Sequence, residues 1–235
     1  MSDARPAIVT GASSGIGREA AILLSEAGCS VLLVARRKEK LEEVGDLCAN
    51  GAWILAGDLR DSGFCHEVIE AGKTVDGDGL PILVNAAGVA SFGATHEMSV
   101  ETIEEQIDTN LKAAILLCRE AIPWMRARGG GDILNVGSIA SVNPFAQAGA
   151  YVASKFGLLG FTKSLSNEYR KEGIRVTALL PGSTDTELWQ TQSFSPPKES
   201  MLSARAIGEA IRDAVLSSRD RSFDEILLMP PHGVL

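Results

Sequence analysis

The chain has 235 residues, 45% of them hydrophobic and 22% charged, which is enough apolar material for one sizeable core and rules out a disordered or fibrous protein. A formal charge of −8 excludes the basic surface that nucleic acid or an anionic membrane would require. No apolar run approaches the roughly 18 residues of a membrane span. The opening Met-Ser-Asp-Ala-Arg-Pro lacks an apolar signal region, so a cytoplasmic protein is expected.

The first strand is expected at Ala7–Thr10, leading into Thr10-Gly11-Ala12-Ser13-Ser14-Gly15-Ile16-Gly17 and a helix over Gly15–Ala27. Glycines there permit a tight turn and let backbone approach a pyrophosphate, while the helix start adds unpaired N–H groups and a favourable dipole. The second strand, Ser30–Ala35, ends in Ala35-Arg36-Arg37-Lys38, and a helix over Glu39–Cys48 follows. An NAD site usually places a carboxylate at that strand end, and Ala35 offers none. Arg36, with Arg37 beside it, can instead pair with a 2′-phosphate, which favours NADP; a solvated helix start is the alternative.

A third strand over Trp53–Gly57 precedes Asp58-Leu59 and a helix over Phe64–Thr74. Asp58 suits either the adenine amino group or a helix cap. The fourth strand, Ile82–Asn85, runs into Asn85-Ala86-Ala87-Gly88, small residues that let backbone pass a cofactor ribose or pack on the first helix. One long helix is expected over Val100–Arg128, then a fifth strand over Asp132–Val136, Ser138 at its end, and a helix over Ala150–Lys171.

The sixth strand, Arg175–Leu180, is followed by Pro181-Gly182-Ser183-Thr184-Asp185-Thr186. The stretch from Ser183 to Ser203 is expected to be irregular, a lid over the site or a surface loop. A helix over Ala204–Ser217 and a strand over Glu225–Leu228 complete the chain. Strands alternating with helices imply a doubly wound, Rossmann-type parallel sheet, a single domain over residues 1–235.

Tyr151 and Lys155 lie four apart and so share a helix face. A free tyrosine titrates near pH 10, too high for proton transfer near neutrality. A neighbouring ammonium, joined by the positive ring of an oxidised nicotinamide, is expected to favour the phenolate. Ser138 can fix the same substrate oxygen or merely end its strand. An isolated Tyr-x-x-x-Lys pair is usually an ordinary surface pair; its occurrence downstream of a phosphate loop is what points to chemistry.

Cys29, Cys48, Cys65 and Cys118 have no CxxC spacing and read as buried thiols of a reducing compartment. His66-Glu67 opens like a zinc-protease motif, but Glu70 stands where the second histidine belongs, so no metal site is expected.

Taken together, these motifs resemble the short-chain dehydrogenase/reductase family from Ala7 to about Leu228. The family's TGxxxGxG loop matches Thr10 to Gly17, and its NNAG motif matches Asn85 to Gly88 with Ala86 as a variant. Its catalytic asparagine, serine, tyrosine and lysine fall on Asn110, Ser138, Tyr151 and Lys155. Pro181 to Thr186 resembles the PGxxxT motif, whose backbone and threonine contact the nicotinamide carboxamide.

The resemblance implies a seven-stranded sheet and a local interruption of the helix at Asn110, where a held water would join Lys155 to solvent. It also implies a homodimer or homotetramer through the two long helices. Thr184 replaces a more usual aliphatic residue, and the tail Glu225 to His232 departs from the ketoacyl-carrier-protein reductase ending. The expected activity is NADP-dependent hydride transfer between nicotinamide and a small carbonyl or secondary alcohol. Pro144, Phe145, Gln147, Trp189 and Phe194 are expected to shape a mostly apolar pocket. Two alternatives stand beside it: an NAD-dependent alcohol dehydrogenase, and a dinucleotide-sensing or scaffold protein without chemistry.

Overall fold

The computed structural model describes residues 4–191, 196–231 and 233. In chain order the elements are β1 (Pro6–Thr10), α1 (Gly15–Glu26), β2 (Ser30–Ala35), α2 (Lys38–Gly45), β3 (Trp53–Ala56), α3 (Ser62–Thr74) and β4 (Ile82–Asn85). Then come α4 (Val100–Ile107), α5 (Ala113–Ala127), β5 (Gly131–Val136), α6 (Gly149–Tyr169), β6 (Ile174–Pro181), β7 (Thr184–Asp185), β8 (Leu202–Ser203), α7 (Ala204–Val215) and β9 (Glu225–Leu228).

Seven strands form one parallel sheet in the order β3-β2-β1-β4-β5-β6-β9. The central strands are buried along nearly their whole length rather than on alternate residues, because helices cover both faces. Ala20, Leu24, Leu41, Ile207 and Ile211 from α1, α2 and α7 build the core on one face. Val68, Ile69, Leu117, Met125 and Leu165 from α3, α5 and α6 build it on the other. Strand order reverses between β1 and β4, opening a crevice at their carboxyl ends where an open α/β sheet takes its ligand.

At the opposite edge, the amino end of β5 buries Asp132 among three arginines. Arg5 pairs with Asp132 Oδ2, Arg175 Nε reaches Oδ1 at 2.6 Å, and Arg219 Nη1 reaches Oδ2 at 3.0 Å. The guanidinium groups of Arg5 and Arg175 also donate to the Val215 carbonyl at the end of α7, at 2.7 and 3.2 Å, which neutralises a helix C-terminus. Through these arginines one carboxylate ties the starts of β1, β5 and β6 to the end of α7.

The helix expected over Val100–Arg128 breaks where the resemblance implied an interruption: a wide π-type turn over Asp108–Lys112, with Asn110 buried in it, separates α4 from α5. The described part of Ser183 to Ser203, expected to be irregular, holds only short regular pieces. β7 pairs in parallel with β8, closing the segment at its base, and short 3-10 turns cover Glu187–Thr191 and Lys198–Ser200. Phe194 lies outside the described residues.

Candidate active site

The glycine loop is held closed against β4. Thr10 Oγ1 accepts from the backbone N–H groups of Ala86 and Ala87 at 3.1 and 3.2 Å. Gly11 has φ +66°, and a side chain there would meet the Ala86 and Ala87 backbone at 2.8 Å. A Cβ on Gly17 would lie 2.4 Å from the Gly11 carbonyl, so only glycine lets α1 pack this close to the loop. Ser14 caps α1 without a side-chain hydrogen bond and no acidic residue occupies the first turn, leaving the helix start suited to an anion. The dinucleotide that the glycine pattern implies therefore fits this cradle.

A cleft of about 960 Å³ crosses the carboxyl ends of the strands. It takes in Ser13, Gly15, Ile16, Leu59, Gly88, Pro181, Gly182, Thr184 and Thr186, and every other predicted cofactor residue except Asn85. Asn85 instead turns into the sheet, where its Nδ2 donates to Asn135 Oδ1 at 2.8 Å. Asn135 in turn donates to Thr162 at 2.9 Å, so Asn85 joins a buried polar column between β4, β5 and α6.

Around the end of β2, the arginines are partnered. Arg37 donates to Ser13 and Ser14 at 3.1 and 2.9 Å and to Glu187 at 2.8 Å, spanning the glycine loop. Arg36 is more open, 3.6 Å from Glu105. Asp58 is engaged by Arg60, whose guanidinium beside it holds the carboxyl below its usual range. Glu105 and Glu187 escaped the sequence reading because their partners, Arg36 and Arg37, are far away along the chain; Arg60 went unnoticed although Asp58 is only two residues from it.

Ser138, Tyr151 and Lys155 meet on one wall of the cleft, and Asn110 lies just behind it. Ser138 begins a short 3-10 turn, and its Oγ accepts from Ala140 N–H at 3.1 Å, leaving its own proton to donate. Lys155 is buried and Nζ donates to the Val136 carbonyl at 2.9 Å. The Asn110 side chain is fully used: it clamps Val89 through both N–H and C=O, at 2.8 and 2.9 Å, and donates to Ser154 Oγ at 3.0 Å. Ser154 donates onward to the Tyr151 carbonyl at 2.7 Å, so the π-type turn pins the end of β4 to α6.

The expected lowering of the phenol by its neighbour does not come from the protein's own groups. Burial is the largest influence and pushes Tyr151 up, with Ser138 pulling it partly back. Lys155 Nζ stands 5.9 Å from the ring centroid, and burial brings that lysine from 10.5 down to about 8. Keeping its charged form buried disfavours folding below pH 8, a cost relieved as pH rises toward 10.5.

Substrate-side residues form an aromatic wall. Phe92 contacts the rings of Phe145, Tyr151 and Trp189 at centroid distances of 5.8, 5.7 and 6.2 Å. Pro144 and Gln147 line the same side. Phe92 went unnoticed in the sequence, although its place in the loop beyond β4 marked it as near a strand's carboxyl end. Among the described residues no group of three metal-ligating side chains occurs, and no helix is long and apolar enough to cross a membrane.

The family model for short chain dehydrogenase matches residues 5–195. The chain belongs to this family. An uncharacterized oxidoreductase of Staphylococcus aureus (strain USA300) is 31% identical over 225 residues, 95% of this chain and 96% of that protein. A similar uncharacterized oxidoreductase of Staphylococcus epidermidis is 29% identical over the same shares of each chain. As a short chain dehydrogenase, this protein is an oxidoreductase.

Among solved structures, an alcohol dehydrogenase from the archaeon Thermococcus sibiricus, complexed with 5-hydroxy-NADP, superposes with a TM-score of 0.87. It is 24% identical, and 97% of each chain is covered. A putative gluconate dehydrogenase from Agrobacterium tumefaciens gives 0.85 at 26% identity, covering 95% of this chain and 94% of that one.

Proposed function

We propose that this short chain dehydrogenase is an NADP-dependent carbonyl reductase or secondary-alcohol dehydrogenase with Tyr151 as its general acid and base. The observation that carries this reading is the convergence of Ser138, Tyr151 and Lys155 on one wall of the cleft that the glycine loop enters. Gly11 to Gly17 would cradle the pyrophosphate, with Arg36 and Arg37 at the adenosine ribose and Thr184 and Thr186 near the nicotinamide. What the bound dinucleotide would supply is a hydride, and with it two electrons, to the carbonyl carbon.

In reduction, Tyr151 donates its phenolic proton to the carbonyl oxygen as that oxygen gains charge. Ser138 donates a second hydrogen bond to the same oxygen, since Ala140 N–H already occupies one of its lone pairs. Lys155 stabilises the resulting phenolate. Asn110 is a positioning residue, holding α6 through Ser154; a proton relay from Lys155 would run past its main chain, because its side chain is committed. In oxidation the steps reverse. Ile115 and Phe156, exposed on α5 and α6, support assembly through these helices.

Parallel titrations with NADPH and NADH test the cofactor reading. The wild type prefers NADPH, and Arg36→Asp reverses the ratio by about 10- to 100-fold, the worth of a charge-assisted pair. An unchanged ratio removes Arg36 from the cofactor argument, and a wild type that prefers NADH returns the protein to NAD. Lys155 sets the pH profile. Below about 8 the lysine is charged and kcat/KM for reduction is flat; it falls as pH rises through that value and the phenolate loses its support. A profile flat to pH 10 would remove Lys155 from the mechanism.

A further inference from the structure

Phe92 is the hub of four rings that come from four separate segments: the loop beyond β4, the loop before α6, α6 itself and the turn Glu187–Thr191. Two of the three contacts are edge-to-face, with interplanar angles of 68° to Phe145 and 85° to Tyr151, and the third, to Trp189, is tilted at 49°. The cluster is built to keep its shape. Trp189 Nε1 donates to the Thr184 carbonyl at 3.0 Å, which fixes the indole and leaves its face for contact. Gln147 takes φ +62°, a strained conformation for a non-glycine residue, and its carbonyl accepts from Gly93 N–H at 2.7 Å, locking the Phe145 loop onto the Phe92 loop.

Charge is segregated along the same cleft. Arg36, Arg37, Asp58, Glu105 and Glu187 all stand at the ribose end. Around the rings the neutral polar side chains are Ser91, Asn143 and Gln147, and the charged neighbour is Lys155, which stands 5.9 Å from the Tyr151 ring centroid and donates to the Val136 carbonyl. A carboxylate or phosphate resting against Phe92 and Phe145 would lose its water to an apolar wall, with both arginines of the cleft at its other end. Phe145 remains 48% exposed at the rim, apolar surface that a ligand would cover.

We infer that the substrate is a neutral ketone, or the matching secondary alcohol, carrying an aryl group on or next to the reacting carbon. This deepens the reductase reading and rests on it. Because the Phe92 ring packs 5.7 Å from the Tyr151 ring, a substrate ring beside Phe92 would reach the phenol with a carbonyl held one or two bonds from that ring. The aryl ring supplies the polarised edge and face that the cluster complements; a saturated ring of the same size supplies only area.

The test is a kcat/KM comparison of propiophenone, its cyclohexyl counterpart and phenylglyoxylate, run with NADPH and with NADH. Propiophenone should exceed the cyclohexyl ketone by about fivefold to tenfold, one or two aromatic contacts, and phenylglyoxylate should lag further. Phe92→Leu should narrow the aryl-to-cyclohexyl ratio to near one, with Phe145→Leu as the second variant if the first does not fold. Equal efficiency for the two neutral ketones overturns the aryl inference and leaves the reductase. If no ketone is turned over with either cofactor, the reductase reading fails, and binding then decides. Stronger fluorescence quenching by propiophenone than by the cyclohexyl ketone, lost in Trp189→Phe, would still support the aromatic site; no such difference would overturn it.

Discussion

Tyr151→Phe lowers turnover by about two to four orders of magnitude, the usual worth of a positioned general acid, while dinucleotide affinity changes little. The substitution removes one hydroxyl and keeps the ring that Phe92 packs against, so the aromatic wall survives. Ser138 remains able to donate to the carbonyl oxygen but, with an ordinary hydroxyl, cannot surrender its proton in place of the phenol. Burial already holds Tyr151 in its protonated form at neutral pH, which is the form reduction needs. Steady-state kinetics and cofactor titration of the same preparation check the two halves separately. Turnover within threefold of wild type would mean that the proton comes from elsewhere.

Asp132→Asn destabilises the fold by about 3–5 kcal/mol, the cost of breaking a buried ion pair from one side. For a chain of this length that shifts Tm by on the order of 10 °C. Removing the carboxylate leaves Arg5 and Arg175, both largely buried, facing Arg219 with nothing to offset three positive charges. Some of the loss is tempered because all three also donate to main-chain carbonyls. Asp132 sits at the amino edge of the sheet and the cleft at the carboxyl edge, so NADPH affinity well below the transition stays close to wild type. Thermal unfolding followed by circular dichroism is the check. A Tm within a degree or two of wild type would show that the arginines rearrange at no cost.

The two edges of the sheet differ in how far the sequence announces them. Gly11 to Gly17, Ser138, Tyr151 and Lys155 were legible because each lies in a short motif whose spacing states its geometry. The seven strands were legible because short aliphatic runs alternate with longer amphipathic ones. Asp132 was not: a single acidic residue opening a strand looks solvent-facing, and its partners are 127, 43 and 87 residues away. The break at Asp108–Lys112 has no propensity signal either, since no glycine or proline occupies it; only the family resemblance pointed there. At Asn85 the motif was read for its backbone beside a ribose, and what the sequence did not announce is that its side chain belongs to the sheet. Phe92 and Glu187 become visible only when loops from different strands are brought together.

Glu187 and Trp189 lie two residues apart on one short turn. The first reaches Arg37 at the ribose end of the cleft, and the second reaches Phe92 at the substrate end. A dinucleotide that competes for Arg37 therefore acts on the same backbone that carries one wall of the aryl site. Linkage makes that coupling reciprocal: whatever free energy the first ligand spends in resetting the turn, the second ligand's affinity records in full. Under the proposed function the two binding events would not be independent: each ligand would change the affinity for the other by the same factor.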